Sequence, residues 1–210
     1  MSVLINDEMD NLLKTTSRSF YPTLKYLPKK VRGQIGLLYL LARVADTIAD
    51  SKHGETDLLL KSISEYNCVA QGKSAQLPDF TVIADIQDNP SEAELLRNVS
   101  DIVNALKVYD KYDQARMLEC LDIIVGGQIL DLERFGPAKE GGKISALKNN
   151  AEMDDYTFRV AGCVGVFWTK MSLAHLVKMG EDRQEEFFEK GVRFGKALQM
   201  INILRDIPED

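Results

Sequence analysis

The stretch LLYLLARVADTIADS, residues 37–51, combines the pattern of a buried helix with charged side chains. Its apolar residues recur at helical spacing, and Arg43, Asp46 and Asp50 interrupt that apolar surface. Aspartate is a poor former of helix interiors, and like charges four residues apart repel each other by about 0.2–0.5 kcal/mol. The stretch predicts a helix whose two carboxylates serve something other than local stability. The pair alone also fits a solvated helix face.

The composition of the whole chain predicts one helical domain. Its 210 residues are enough to bury a sizeable core, and the net charge of −6 includes no long run of like charge, so nothing suggests a nucleic-acid surface. The N-terminus is too acidic for a secretory signal, and no apolar run reaches the ~18 residues of a membrane span. Three cysteines without metal-binding spacing favour reduced core thiols in a cytoplasmic protein.

Helical periodicity dominates the chain, and no stretch alternates with the period of two that marks a strand. Pro22 and Pro28 bracket an irregular segment that leads into the helix containing LLYLLARVADTIADS. The stretch FGPAKEGGK, residues 135–143, is expected to form a loop. Helices are expected around Met9 to Leu13, from Val31 to Asp50, in LLLKSISEYNCVAQ, over 92–109, 113–134 and 154–179, and from Gln184 onwards. The expected fold class is all-α, a compact bundle of roughly seven or eight helices.

A second acidic face lies in QMINILRDIPED, residues 199–210. Asn202, Asp206, Glu209 and Asp210 share one helix face, and Arg205 precedes Asp206 as Arg43 precedes Asp46. Two such faces on opposite walls of a bundle would hold carboxylates that are tolerated in a core only when paired or metal-bound. Magnesium and arginine both bind phosphate oxygens, so this pattern predicts a diphosphate ligand.

Four segments carry a resemblance to a known family. DTIAD (46–50) and DIPED (206–210) resemble the two aspartate-rich motifs of the squalene/phytoene synthase family, the head-to-head prenyl synthases. SRSF (17–20) and YTFRVAGCVG (156–165) are similar to two further family segments in the same order. The resemblance implies a helical bundle of the isoprenoid synthase type with a central apolar cavity. It covers residues 1–210 as a single domain, expected to lack the helices that follow the second motif in the family.

The resemblance also implies roles for individual residues. The metal-binding residues would be Asp46, Asp50, Asn202, Asp206 and Asp210. The residues that contact the substrate diphosphate would be Ser17, Arg18, Ser19, Arg43 and Arg205. The substrate pocket would include Phe20, Tyr39, Val160, Gly162, Gln199 and Asn202. Tyr156 would act with the four aspartates in catalysis, either in proton removal or by stabilising a cation.

Several of these residues have ordinary alternative roles. Arg18 could be a solvated residue at a helix end, and Phe20 could belong to the core. Tyr156 could be a buried tyrosine held by one hydrogen bond. Gly162, together with Gly165, could serve only the close packing of helices. The two histidines, His53 and His175, lack ligand spacing and are expected to be structural or exposed.

The activity implied is the Mg²⁺-dependent condensation of two farnesyl diphosphates through presqualene diphosphate to squalene, with NADPH as reductant. Phytoene synthesis from geranylgeranyl diphosphate, dehydrosqualene synthesis and a non-catalytic relative remain alternatives. Terpene cyclases and head-to-tail prenyltransferases share paired aspartate motifs but lack the other two segments. Gly165 to Trp168 are expected to limit the tunnel and favour the C15 substrate. Peripheral association with a membrane is expected for release of the lipid product.

Overall fold

The computed structural model describes residues 4, 6–17, 20–76, 78–139 and 146–206, and every regular element in these ranges is helical. The all-α prediction is confirmed. The first six α-helices are α1 (Asp7–Ser17), α2 (Tyr21–Tyr26), α3 (Lys29–Ala49), α4 (Thr56–Ala70), α5 (Thr81–Asp85) and α6 (Pro90–Arg97). The others are α7 (Val99–Ala105), α8 (Lys111–Lys139), α9 (Asn150–Thr157), α10 (Cys163–His175) and α11 (Glu181–Asp206). None of these helices is long and apolar enough to span a membrane.

The helix expected over 92–109 is divided at Asn98. This residue leaves the helical conformation, with φ −101° and ψ 13°, and its side-chain amide donates to the carbonyl of Glu94 at 2.9 Å. Asparagine side chains compete with backbone hydrogen bonds in this way, and helix propensity alone does not reveal where they do so. A 3₁₀ turn, Leu106–Val108, then closes the segment.

The helix expected over 154–179 is likewise divided. It begins earlier, because the Asn149 side chain caps α9 by accepting from the backbone N–H of Glu152 at 3.0 Å. A π-helical turn, Phe158–Gly162, separates α9 from α10, and α10 already ends at His175. Single π turns within α-helices are frequent at functional sites. The turn falls inside the segment YTFRVAGCVG.

Two expected irregular segments are partly helical. The entry to α3 contains α2, with Pro22 in its first turn where a missing N–H costs nothing. Helix α8 continues to Lys139, into the expected glycine-rich loop. At Gly136 an added Cβ would lie 2.7 Å from Cγ2 of Thr56, so α8 and α4 pack closely there. This packing, which the local sequence does not show, accounts for the extra turn.

Helix α3 forms the centre of the core, as the opening stretch predicts. Leu37, Leu40, Leu41, Val44 and Ile48 are fully buried, and α3 packs against α8, α4, α7 and α1. Burying each such side chain contributes about 1.5–3 kcal/mol. The acidic residues therefore lie on the one side of α3 that the core leaves uncovered.

A buried polar contact joins three of the long helices. Asp113 on α8 is 2% exposed and accepts from the Gln34 amide of α3 at 2.8 Å. Its other oxygen lies 2.7 Å from Nε2 of His175, at the end of α10. His53 is exposed and lies 3.3 Å from Asp88. His175 is therefore structural and His53 is exposed, as expected for the two histidines.

The three cysteines are free, as the sequence predicts, but they are not all in the core. Cys120 and Cys163 are buried with their sulfur atoms 3.9 Å apart. Cys68 is exposed, so its assignment to the core is wrong. It lies on the solvent side of α4, whose buried positions include Ile63 and Tyr66.

Gly165 allows α10 to approach α11 backbone to backbone. A Cβ placed on Gly165 would lie 2.0 Å from the carbonyl oxygen of Gly191 and 2.5 Å from its carbon. At Gly162 an added Cβ would instead meet side chains, Phe158 at 2.9 Å and Lys196 at 3.3 Å. The tight helix contact expected for these glycines therefore depends on Gly165, because backbone atoms cannot turn aside.

Gly165→Ala is expected to lower the free energy of unfolding by about 3 kcal/mol, since α10 and α11 must separate. Gly162→Ala is the matched control and should change it by about 1 kcal/mol or less, because the neighbouring side chains can rotate and alanine favours helix. Urea denaturation measures both. Equal stability of the two variants would show that the interhelical contact at Gly165 is not as close as described.

Candidate active site

The two carboxylates of α3 lie close enough to repel each other. Asp46 is half-buried and accepts a hydrogen bond from the Gln128 amide of α8 at 2.5 Å. Burial, reinforced by the Asp50 carboxylate, raises the pKa of Asp46 to about 7, and Arg43 and Gln128 act in the opposite direction. A bound cation would relieve this repulsion.

Arg43 lies beside this acidic pair and is held from a second helix. Its Nη2 donates to Oε1 of Glu92, on α6, at 2.6 Å, and its Nη1 lies 3.9 Å from Oδ2 of Asp46. The Nε atom is buried and has no hydrogen-bond partner among the residues that the structure describes. Arg43 therefore retains donor capacity next to the carboxylates.

Asp131 on α8 is a third carboxylate in this region, and sequence reasoning missed it. Burial and the Asp50 carboxylate raise its pKa to about 6, against an opposing effect of Arg134. Its Oδ1 is buried without a hydrogen-bond partner in the described part of the chain. Asp131 follows Gln128 by three residues in an otherwise apolar run, so helical periodicity could have placed both on one face.

Tyr156, at the end of α9, lies where three helices meet. Burial raises the pKa of its phenol, and the carboxylates of Asp131, Asp50 and Asp46 raise it further. A side-chain hydrogen bond with Gln199 of α11 acts in the opposite direction. Tyr156 is therefore a neutral phenol within the electrostatic influence of the acidic residues of α3 and α8. The structure brings these sequence-predicted residues together.

The second acidic face extends along α11 from this point. Asn202 and Asp206 follow Gln199 by three and seven residues, which places them on the side of α11 that contacts Tyr156. Asn202 is exposed and Asp206 is half-buried. Nε of Arg205 donates to Asp206 at 2.9 Å, and the Arg205 side chain is 70% exposed. Asp210 lies outside the described residues.

The serine-rich segment is described only at its two ends. Ser17 is buried at the end of α1, and its hydroxyl donates to the backbone carbonyl of Leu13. This hydroxyl would have to rotate before it could donate to a phosphate oxygen. Arg18 and Ser19 lie outside the described residues. Phe20 is 38% exposed and packs on the Tyr39 ring with centroids 5.5 Å apart, so a fully buried core role is wrong for it.

A groove of about 510 Å³ lies between α10 and α11. Its lining includes the large apolar side chains of Trp168, Phe187, Phe194 and Leu198. Its lining also includes Ala161 of the π turn at one end, but neither Val160 nor Gly162, the predicted pocket residues on either side of it. That end is close to Gln199. Of the two bulky residues expected to limit a tunnel, Trp168 lines the groove, whereas Phe167 is 2% exposed in the core.

The carboxylates do not form a ready-made metal cage. Within the described ranges, no three acidic, histidine or cysteine side chains are placed to hold one ion. The carboxylates of Asp46, Asp50 and Asp131 nevertheless act on Tyr156, and Gln199 of α11 contacts it. Such an arrangement suits a metal that takes one or two carboxylates and completes its coordination with ligand oxygens.

Comparison with known proteins gives one consistent result. The family model for squalene/phytoene synthase matches residues 13–210. Squalene synthase ERG9 of Saccharomyces cerevisiae is 26% identical over 202 residues, covering 95% of this chain and 42% of that protein. The bifunctional lycopene cyclase/phytoene synthase of Blakeslea trispora is 22% identical over 205 residues, covering 95% of this chain and 30% of that protein.

A solved structure has the same fold. The complex of TcSQS with the ligand E5700 superposes with a TM-score of 0.74 at 22% identity, covering 95% of this chain and 53% of that one. The chain thus spans less than half the length of these two curated relatives. The match to the family model includes the acidic segments of α3 and α11 and the segment around Tyr156. The chain belongs to the squalene/phytoene synthase family.

Proposed function

We propose that the chain carries the substrate-ionising site of a head-to-head prenyltransferase. The proposed reaction condenses two farnesyl diphosphates through presqualene diphosphate to squalene, with Mg²⁺ and NADPH. The observation that carries the proposal is the position of Tyr156, which lies within the electrostatic influence of Asp46, Asp50 and Asp131. Membership of the family implies prenyl diphosphate substrates. The choice of the C15 substrate is our more specific proposal.

The donor set near Tyr156 suits magnesium. Carboxylate oxygens are preferred ligands of this ion, which is usually held by one or two carboxylates together with substrate phosphates. Asp131 offers a buried oxygen without a partner in the described part of the chain, and Asp46 and Asp50 repel each other. Asp46 and Asp50 would hold the ion, joined by Asp206, Asn202 and Asp210. Bound Mg²⁺ would stabilise negative charge on the departing diphosphate.

Arg43 would supply positive charge for binding the diphosphate beside the carboxylates. Its guanidinium lies beside Asp46 and keeps N–H groups that can donate to phosphate oxygens. Arg205, the equivalent residue of the second motif, is exposed on α11. In this proposal the two arginines bind the diphosphate from either side, and Ser17, Arg18 and Ser19 contribute further donors.

Tyr156 would act on the cation left when the diphosphate departs. Its phenol is held neutral by burial and by the neighbouring carboxylates, so its ring and hydroxyl oxygen can stabilise positive charge nearby. The hydrogen bond with Gln199 fixes the orientation of the phenol. The same hydroxyl could relay a proton to a carboxylate in products that end by proton loss.

The groove between α10 and α11 would hold a prenyl chain. Its volume of about 510 Å³ lies within the usual range for small-molecule sites, and its large apolar side chains offer a contact surface for a prenyl chain. One end lies beside Gln199, so a chain in the groove would have its diphosphate near Tyr156. Phe20, just before α2, packs against Tyr39 of α3, and this pair would contact the second substrate.

The final step distinguishes the proposed product from its alternatives. Reduction by NADPH would give squalene, and proton loss would give dehydrosqualene, or phytoene from C20 substrates. Both squalene and phytoene synthases are among the similar proteins, and the NADPH requirement rests on the family resemblance alone. The same proposal includes a cytoplasmic location and contact with the membrane surface when the product is released.

Calorimetric titration with farnesyl thiodiphosphate, a non-ionising analogue, tests the proposed site. We expect binding that requires Mg²⁺ and is abolished by EDTA, because metal and diphosphate complete each other's coordination. Inorganic pyrophosphate should bind more weakly, since it leaves the apolar groove empty. A non-catalytic relative should show neither affinity nor metal dependence, and that outcome would contradict the proposal.

Asp46→Asn is expected to separate binding from stability. The free energy of unfolding in EDTA should rise by up to about 1 kcal/mol, because repulsion with Asp50 is relieved. Affinity for farnesyl thiodiphosphate with Mg²⁺ should fall at least about tenfold, because a ligand oxygen loses its charge. Asp101→Asn, on the exposed first turn of α7, is the control and should leave the affinity unchanged. Undiminished affinity of the Asp46 variant would argue against its metal role.

Trp168→Ala is expected to change the preferred chain length. Removing the indole from the groove should improve binding of geranylgeranyl over farnesyl thiodiphosphate by about tenfold, because a C20 chain gains room. Phe167→Ala is the matched control, since this buried ring does not line the groove and its loss should lower stability without changing the ratio of affinities. An unchanged ratio for Trp168→Ala would show that this side chain does not select chain length.

A further inference from the structure

Glu92 contacts the guanidinium of Arg43 from a helix that carries none of the four sequence motifs. The two residues are 49 positions apart, and Nη2 of Arg43 donates to Oε1 of Glu92 at 2.6 Å. The side chains are 27% and 21% exposed, so this is a largely buried pair. Such charge-assisted hydrogen bonds are short and directional, which makes them suited to fix a side chain in place.

The contact leaves most of the Arg43 donors available. A guanidinium has five N–H groups in a rigid plane, and Glu92 accepts from only one nitrogen. The distance of 3.9 Å from Nη1 to Asp46 is too long for a hydrogen bond, and Nε has no partner in the part of the chain that the structure describes. Glu92 thus holds one corner of the guanidinium, while Nη1 forms only a loose ion pair with Asp46 and Nε makes no hydrogen bond with the described residues.

We propose that Glu92 is a positioning residue for Arg43, which it orients to receive a diphosphate group. The inference rests on the proposed function, because it assumes that Arg43 contacts that ligand. A free arginine side chain has several rotatable bonds, and ordering it on binding costs affinity. Glu92 removes part of this cost before the ligand arrives. Asp46 cannot do so, because its carboxylate is assigned to the metal.

Glu92 also has a structural role that the test must separate. It is the third residue of α6, after the cap residue Asn89 and Pro90, where acidic or amide side chains favour the start of a helix. Glutamate, aspartate and glutamine all suit this position. Replacements within this set therefore leave the cap nearly unchanged and alter only the contact with Arg43.

Two replacements of Glu92 distinguish positioning from charge. Glu92→Asp keeps the negative charge but shortens the side chain by one methylene, so the carboxylate no longer reaches Nη2. Glu92→Gln keeps the reach and an accepting oxygen but removes the charge. Positioning predicts that the affinity for farnesyl thiodiphosphate with Mg²⁺ falls about 3- to 10-fold in Glu92→Asp and is largely retained in Glu92→Gln. A purely electrostatic effect predicts tighter binding in Glu92→Gln, because an anion near the ligand is lost.

The experiment is calorimetric titration of these variants alone and combined with Arg43→Lys. Lysine cannot form the fork, so Glu92→Asp should cause no further loss in that background if it acts through Arg43. Glu94→Asp, two residues along α6 and exposed, is the control and should bind like the unmodified chain. Urea denaturation should show similar stability for all the Glu92 variants.

The outcomes are distinct. Weaker binding by Glu92→Asp, absent in the Arg43→Lys background, supports the inference. Undiminished binding by Glu92→Asp, or an equal loss in both backgrounds, overturns it and leaves the proposed function standing. Absence of Mg²⁺-dependent binding by the unmodified chain overturns the proposed function and this inference together.

Discussion

Repulsion among carboxylates is the constraint on which the candidate site depends. Asp46, Asp50 and Asp131 project from two helices into one region, and burial together with their mutual influence raises the pKa of Asp46 and of Asp131. Arg43 and Gln128 offset only part of this cost. A chain that keeps such a cluster beside a well-packed core retains free energy that a cationic ligand can release.

Helix packing then determines where that carboxylate cluster is accessible. Helix α3 buries its apolar residues against α8 and α4, so its acidic side remains uncovered. Gly165 and Gly191 bring α10 and α11 into backbone contact, which fixes the position of Gln199 and hence of Tyr156. Helix α11 therefore connects the apolar groove with the polar end, through Gln199. In the proposed function, this connection would let metal, diphosphate and prenyl chain bind as a single unit.

Residues outside the sequence motifs also help to position the site. Glu92 and Gln128 are not part of any motif, yet they contact two predicted site residues, Arg43 and Asp46 respectively. Asp131 adds a carboxylate from a helix that carries no recognised motif. These side chains share no sequence neighbourhood with the residues they contact, since the shortest of the separations is 49 residues. Their importance becomes visible only when the helices are packed.

Local physics made much of this protein predictable from its sequence. Apolar residues at helical spacing determined α1, α3, α4 and the all-α class. The paired acidic motifs singled out Asp46 and Asp50, and the family resemblance singled out Tyr156, before any contact was known. Tertiary structure alone decided the break at Asn98, the π turn, the last turn of α8 and the exposure of Cys68, because side-chain competition and interhelical packing override helix propensity. It also decided the roles of Glu92, Gln128 and Asp131, because contacts between distant segments leave no periodic signal in the chain.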